Sequence, residues 1–138
     1  MTTRDHASRL NYENRYQSDA VGKLDGQTLV DVYVTEFEGD PALCLVGTKG
    51  WLLLYHSQDC CESVAMDGDA EAVLTSLIGQ QIHSIRETTQ EIDLEYGVAQ
   101  WTFYHINTLS DFATVRWTGE SNGYYSIEVS ASYVSEDN

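Results

Sequence analysis

The sequence predicts an α+β fold, an antiparallel β-sheet of about six or seven strands with one main α-helix packed on it. Two observations carry that prediction. Segments with apolar residues at alternate positions recur along the chain, above all in its last third, and the short connections between them favour antiparallel pairing. Set against them is a single stretch with helical spacing, in which Ala70 is followed by Val73, Leu74, Leu77 and Ile78 at intervals of 3, 4, 7 and 8.

In chain order, residues 1–22 have neither period and are rich in Asn, Asp, Ser, Arg and Tyr, which predicts a flexible or loosely packed arm ahead of one domain over 23–138. In QTLVDVYVTEFEGD, Val30, Val32 and Val34 alternate with Leu29, Asp31, Tyr33 and Thr35, so this is a strand, ended by Gly39, Asp40 and Pro41. ALCLV and WLLLYH flank the turn GTKG, and their apolar runs are too continuous for a half-exposed hairpin, so both faces of residues 42–56 are expected to be covered. Asp67, Gly68 and Asp69 offer N-cap chemistry to the helix and Gly79 a C-cap, which predicts about three turns lying across the sheet. QIHSIRETT reads as a strand and EIDLEYG as a loop or strand end. QWTFYHINT, DFATVRWTG and GYYSIEVSASYV are three consecutive strands, with Tyr125, Ile127, Val129, Ala131 and Tyr133 in period two. Between the last two, Asn122-Gly123 is the expected centre of a tight hairpin, because both residues tolerate positive φ.

At 138 residues the chain is the size of one domain. It has no apolar run long enough to span a bilayer and no segment resembling a signal peptide, so a soluble protein kept in the cytoplasm is expected. Acids outnumber bases 22 to 7, and the imbalance is uneven. Arg4, Arg9, Arg15 and Lys23 leave the first 23 residues near neutrality, whereas from residue 24 onward only Lys49, Arg86 and Arg116 oppose 19 acids. Such a body repels nucleic acid and anionic membrane. Its acidity reads as a solubilising surface or, more sharply, as an imitation of nucleic-acid phosphate that fills another protein's basic groove. Three cysteines, Cys44, Cys60 and Cys61, are an odd number with two adjacent, which argues against a disulfide framework.

Chemistry-bearing residues crowd into two places. YHSQDCCESV brings His56, Asp59, Cys60, Cys61 and Glu62 together, but adjacent cysteines on an extended segment point apart and no second Cys/His pair has metal-site spacing. One of the two is expected to be a small buried packing residue, and no metal or cofactor is assigned. His105 shares a strand face with Trp101 and Phe103 and reads as a core-edge histidine satisfied by a hydrogen bond. The chain has no phosphate-cradling glycine loop, HExxH or GxSxG, which removes the familiar motif-bearing enzymes.

The second place is RWTGESNGYY. Asn122 and Gly123 are explained by turn geometry, but Arg116 is one of three bases in an acidic body and lies beside Thr114 and Thr118, on the strand face opposite Val115 and Trp117. An arginine with tyrosines and an asparagine fits a small anionic, aromatic ligand, the guanidinium forking onto phosphate while rings stack on a base. The expected ligand-binding residues are Arg116, Trp117, Asn122, Tyr124, Tyr104 and His56, with no catalytic residue.

YHSQDCCESV, WTFYHINT and RWTGESNGYYS together resemble a family of small uncharacterised bacteriophage proteins, over roughly residues 27–131. The resemblance implies a phage origin and carries no activity. With it comes the expectation of a non-catalytic accessory protein that sequesters a nucleotide-derived small-molecule signal of host antiviral defence, in the host cytoplasm, as a homo-oligomer that completes its pocket by dimerising. The alternatives are an acidic nucleic-acid-mimicking inhibitor of a host defence protein and, ranked lower, a hydrolase that works through Cys60 or Cys61 with His56.

Overall fold

The structure is a computed structural model that describes residues 4–11, 15 and 19–136. Its strands are β1 (Leu29–Phe37), β2 (Asp40–Gly47), β3 (Gly50–Tyr55), β4 (Ser63–Met66), β5 (Ile82–Leu94), β6 (Gly97–Thr108), β7 (Phe112–Ser121) and β8 (Ser130–Ser135), with a short helix, α1 (Ala70–Thr75), between β4 and β5. They form two antiparallel four-stranded sheets, ordered β1-β2-β3-β8 and β4-β7-β6-β5. The α+β prediction of one sheet under a main helix is therefore wrong. The fold is mostly β, and the second layer over each sheet is the other sheet.

The reason lies in β2 and β3, where apolar residues occupy both parities. Leu43, Leu45, Leu52 and Leu54 point into a core shared with Ile82, Ile85, Tyr104, Ile106, Val115 and Trp117 of the second sheet. The other parity, Cys44, Val46, Trp51, Leu53 and Tyr55, packs with Tyr33 and Phe37 of β1 and is covered by Ala7 and Leu10. Both faces of the 42–56 hairpin are thus buried, as its composition demands. Each fully buried leucine contributes about 1.5–3 kcal/mol, which is what a two-sided strand supplies and a half-exposed one does not. The described part of the N-terminal arm turns through a short 3-10 helix at His6–Arg9 against the outer face of the first sheet. Ala20–Leu24 forms a second 3-10 helix that buries Ala20 and Leu24 in the core between the sheets, and residues 1–3, 12–14 and 16–18 of the arm lie outside the described residues.

The helix is shorter than its spacing predicts. Asp69 caps α1 by accepting from Ala72 N at 3.0 Å, but beyond Thr75 the bonds Leu77 N to Leu74 O, Ile78 N to Thr75 O and Gln80 N to Leu77 O are three-residue turns. Only Ala70, Leu74 and Leu77 of the apolar stripe reach the core, while Val73 and Ile78 are exposed. The helix is capped at Ser76 and not at Gly79, which has positive φ but lies beyond the helix end and gives its N–H to Leu29 O at 2.7 Å in the first sheet.

Turn chemistry is also redistributed. Glu38 and Gly39 both have positive φ and make the two-residue turn between β1 and β2, so Asp40 and Pro41 open β2 instead of ending β1. Asn122-Gly123 is not the centre of a hairpin. β7 belongs to the second sheet while β8 pairs with β3 in the first, so residues 122–129 cross between sheets. Only Gly123 has positive φ; Asn122 instead accepts from Tyr124 N at 3.0 Å through Oδ1, a side-chain turn of the kind asparagine makes without left-handed backbone. EIDLEYG is mostly strand, because β5 runs to Leu94 and turns at Glu95-Tyr96 into β6.

Candidate functional site

The outer face of the second sheet is where the sequence's unusual residues meet. Alternation along β6 puts Thr102, Tyr104 and Ile106 in the core, so Trp101, Phe103 and His105 lie outward, each half-buried. Register then sets their neighbours. Arg86 of β5 stands opposite His105, and Arg116 of β7 stands opposite Phe103. The Phe103 and His105 rings are stacked, with centroids 6.1 Å apart and planes inclined by 16°. His105 is held in place by Thr88 Oγ1 at 2.9 Å on one ring nitrogen and Thr114 Oγ1 at 3.2 Å on the other, so it has two hydrogen bonds where one was expected.

Arg116 projects from β7 toward the loop between β4 and α1. Its Nε donates to Asp67 Oδ2 at 2.6 Å, and the same oxygen accepts from Thr118 Oγ1, so one carboxylate orients both side chains. The guanidinium is about half exposed, and its two Nη atoms meet no partner among the described residues. Asp67, Gly68, Ala70, Val73, Phe103, Thr114, Val115 and Arg116 line a cavity of about 390 Å³, open to solvent and walled on one side by α1. That volume is in the range of small-ligand sites, roughly 300–1,000 Å³. The floor is a sheet with a ring, a cation and one threonine, which can stack a planar group and bond an anion.

The other expected ligand residues are elsewhere. Trp117 and Tyr104 face inward from β7 and β6, at 1% and 0% exposure, and offer no ring face to a ligand. The alternation that separates Arg116 from Trp117 was legible in the sequence and already opposed grouping them. Tyr124 is 83% exposed in the inter-sheet crossing, edge-on to Tyr125 at 5.0 Å. Asn122 lines a different cavity, with Cys61, Ser63, Tyr96 and Ser121 among its neighbours.

His56 is buried at the end of the β3 segment, and both ring nitrogens are engaged. Nε2 lies 2.8 Å from Glu62 Oε2 and Nδ1 lies 2.7 Å from the carbonyl oxygen of Glu128. Glu62 also accepts from the amides of Asp59 and Cys60 at 2.9 Å each and from Gln58 Nε2 at 3.2 Å. Burial alone would raise the Glu62 carboxyl; the Cys60 and Asp59 amides, with His56, outweigh it and bring it down to about 2. This cluster fastens the loop and presents no free group to a substrate.

Cys60 and Cys61 differ from expectation as well. Neither is a buried packing residue: both are exposed and joined to each other, while Cys44 is the buried free thiol. Among the described residues no group of three or more His, Cys, Asp or Glu side chains is placed to hold a metal ion, and no helix is long and apolar enough to cross a membrane.

The residues that sequence reasoning passed over are Phe103, Trp101 and Arg86. The shared face of Trp101, Phe103 and His105 was visible, but the register that brings Arg86 and Arg116 to its two sides was not. Neither a curated protein nor a solved structure matches the chain. Residues 20–131 match the model of a family described as Domain of unknown function (DUF7448), and the chain belongs to that family.

Proposed function

We propose that this protein is a non-catalytic binding protein that holds a nucleotide-derived small molecule on the outer face of its second sheet. One observation carries the reading. Of the three cations that oppose 19 acids from residue 24 onward, two, Arg86 and Arg116, flank the outward row Trp101, Phe103 and His105. In this site a base stacks on Phe103, a contribution of about 1–3 kcal/mol. The Nη atoms of Arg116 take phosphate while Asp67 holds the guanidinium plane. Sequestration of a signal of host antiviral defence is the use we assign to such binding, resting on the phage resemblance of the YHSQDCCESV, WTFYHINT and RWTGESNGYYS segments. Binding of that kind needs affinity and no turnover.

The test is calorimetric titration of the purified chain with cyclic dinucleotides and ADP-ribose derivatives, with bound ligand recovered by denaturation. Phe103→Ala and Arg116→Ala should each weaken binding by roughly tenfold or more, while Tyr124→Ala should leave it unchanged. Retention of none of these compounds, or binding by both variants as tight as that of the wild type, would overturn the reading.

A second reading, an acidic inhibitor that occupies a basic groove of a host protein, is favoured by a separate feature. Glu87, Glu91 and Glu128 line a polar cavity of about 400 Å³ with Thr89 and Gln100. The two readings differ in the sign of their salt dependence. Attraction of an acidic body to a basic protein weakens steeply with salt, whereas a small anion is repelled by that body and binds as well or better when the repulsion is screened. Nothing in the geometry favours a Cys/His hydrolase, since both cysteines are in a disulfide and both nitrogens of His56 are engaged.

A further inference from the structure

The bridge between Cys60 and Cys61 has no structural task. Disulfides stabilise chiefly by closing loops in the unfolded chain, and the contribution shrinks with the length enclosed. A bond between adjacent residues encloses none. The loop is also fastened without it, because Glu62 receives the Asp59 and Cys60 amides at 2.9 Å each and His56 Nε2 at 2.8 Å. Yet the pair is exposed, whereas Cys44 is buried with its thiol pushed up to about 12 by burial, next to Tyr33. An exposed, mechanically spare disulfide, in a chain whose one other thiol is buried, is suited to exchange. Cys61 further lines a cavity of about 400 Å³ with Ser63, Tyr96 and Asn122, which gives an incoming thiol access.

We propose that Cys60–Cys61 is a reversible thiol–disulfide site, reduced by a neutral or cationic dithiol. The reductant's thiolate attacks Cys61 Sγ, forming a mixed disulfide and breaking the Cys60–Cys61 bond; Cys60 leaves with the electron pair and takes a proton. The reductant's second thiolate then attacks its own sulfur in the mixed disulfide and departs as a disulfide, releasing Cys61, which takes a second proton. Two electrons and two protons pass from the dithiol to the pair. Charge selects the reductant: Glu95 and Glu120 line the cavity with Cys61 and Asp59 adjoins Cys60, so an anionic thiol such as glutathione is repelled.

The experiment treats the folded, air-oxidised full chain with dithiothreitol or glutathione, alkylates it without denaturant, and locates the label by peptide mass spectrometry. The expected result is paired labelling of Cys60 and Cys61 only after reduction and none at Cys44. Dithiothreitol should act at least about tenfold faster than glutathione at equal thiol, with the gap narrowing as salt is added. The melting temperature should shift by less than about 2 °C on reduction, as befits a bond enclosing no loop. The double variant Cys60→Ser/Cys61→Ser should melt with the wild type. Full labelling of the pair before any reductant overturns the proposal, as does equal reduction by the two thiols. A reduced or doubly substituted chain that melts well below the oxidised wild type makes the bond a staple, and the proposal then fails.

Discussion

Replacing Glu62 with alanine removes a carboxylate on which four donors converge: His56 Nε2 at 2.8 Å, the amides of Asp59 and Cys60 at 2.9 Å each, and Gln58 Nε2 at 3.2 Å. The Glu62 side chain is 1% exposed and that of His56 is 6% exposed, so water does not replace the lost acceptor unless the loop opens. Breaking one member of a buried, hydrogen-bonded pair costs about 3–5 kcal/mol. Set against a total stability of about 5–15 kcal/mol, that lowers the melting temperature by roughly 10–15 °C for a domain of this size. Circular dichroism melts of wild type and Glu62→Ala near neutrality measure it directly.

The pH dependence supplies a second, independent readout. The Glu62 carboxyl is depressed in the folded state from 4.5 to about 2, so its contribution is fully present above the unfolded value and is lost as pH falls from 4.5 through about 2. Wild type should therefore lose stability across that window more steeply than Glu62→Gln, which cannot titrate. Should Glu62→Ala melt within about 3 °C of wild type, or should Glu62→Gln follow the wild-type acid profile, the carboxylate is not what fastens the loop.

Two further outcomes follow from the geometry. Alanine at Gly97 would drive its Cβ into the carbonyl oxygen of Ser121 and to 2.9 Å from the Asn122 Cα, both backbone, so Gly97→Ala should cost about 1–3 kcal/mol in urea unfolding. Unchanged stability there would mean that the β5–β6 turn does not press on the end of β7. Asp67→Ala releases Nε of Arg116 and removes a negative charge from the cavity wall, so it should tighten binding of a nucleotide anion by roughly two- to fivefold, the value of one half-exposed ion pair. Weaker binding in a folded Asp67→Ala would show that holding the guanidinium plane matters more than freeing its charge.

What the sequence discloses is decided by range. Strand content and the covered 42–56 hairpin follow from residues near one another in the chain, and each is found. The number of sheets is not local information. Val73 and Ile78 extend an apolar stripe that reads as three helical turns, but α1 ends at Thr75 and both residues end in solvent. Asn122-Gly123 fails because the sheet that each strand joins is not local information either. A two-residue hairpin needs its flanking strands to pair, and Ile127, packed on Gly119 so closely that a Cβ there would lie 2.8 Å from it, belongs to a segment directed toward the other sheet. Arg116 and Trp117 are neighbours in sequence but lie on opposite faces of β7, the arginine outward and the tryptophan in the core.

Parity along β6 also bears on whether the outer face is a site or only a surface. Packing alone favours large rings inside and threonines outside. β6 does the reverse at several positions: Thr102 and Thr108 are buried at 2% and 8% exposure, while Trp101 and Phe103 remain part-exposed on the outer face. Leaving such a ring accessible forgoes part of the roughly 1.5–3 kcal/mol that its full burial would contribute. Thr102 is not idle inside, since its hydroxyl accepts from Gln100 Nε2 at 3.2 Å, and burial of Tyr104 and Ile106 sets the parity that leaves the rings outside. The rings do meet a requirement of a stacking surface. Their row has an arginine on each side, threonine hydroxyls that hold His105, and a carboxylate that fixes Arg116, all within an otherwise acidic body whose charge would turn a polyanion away. A small ligand with one planar group and few charges suits that combination better than a nucleic acid does, because it gains the stacking and the arginine fork while exposing little charge to the repulsion of the rest of the molecule.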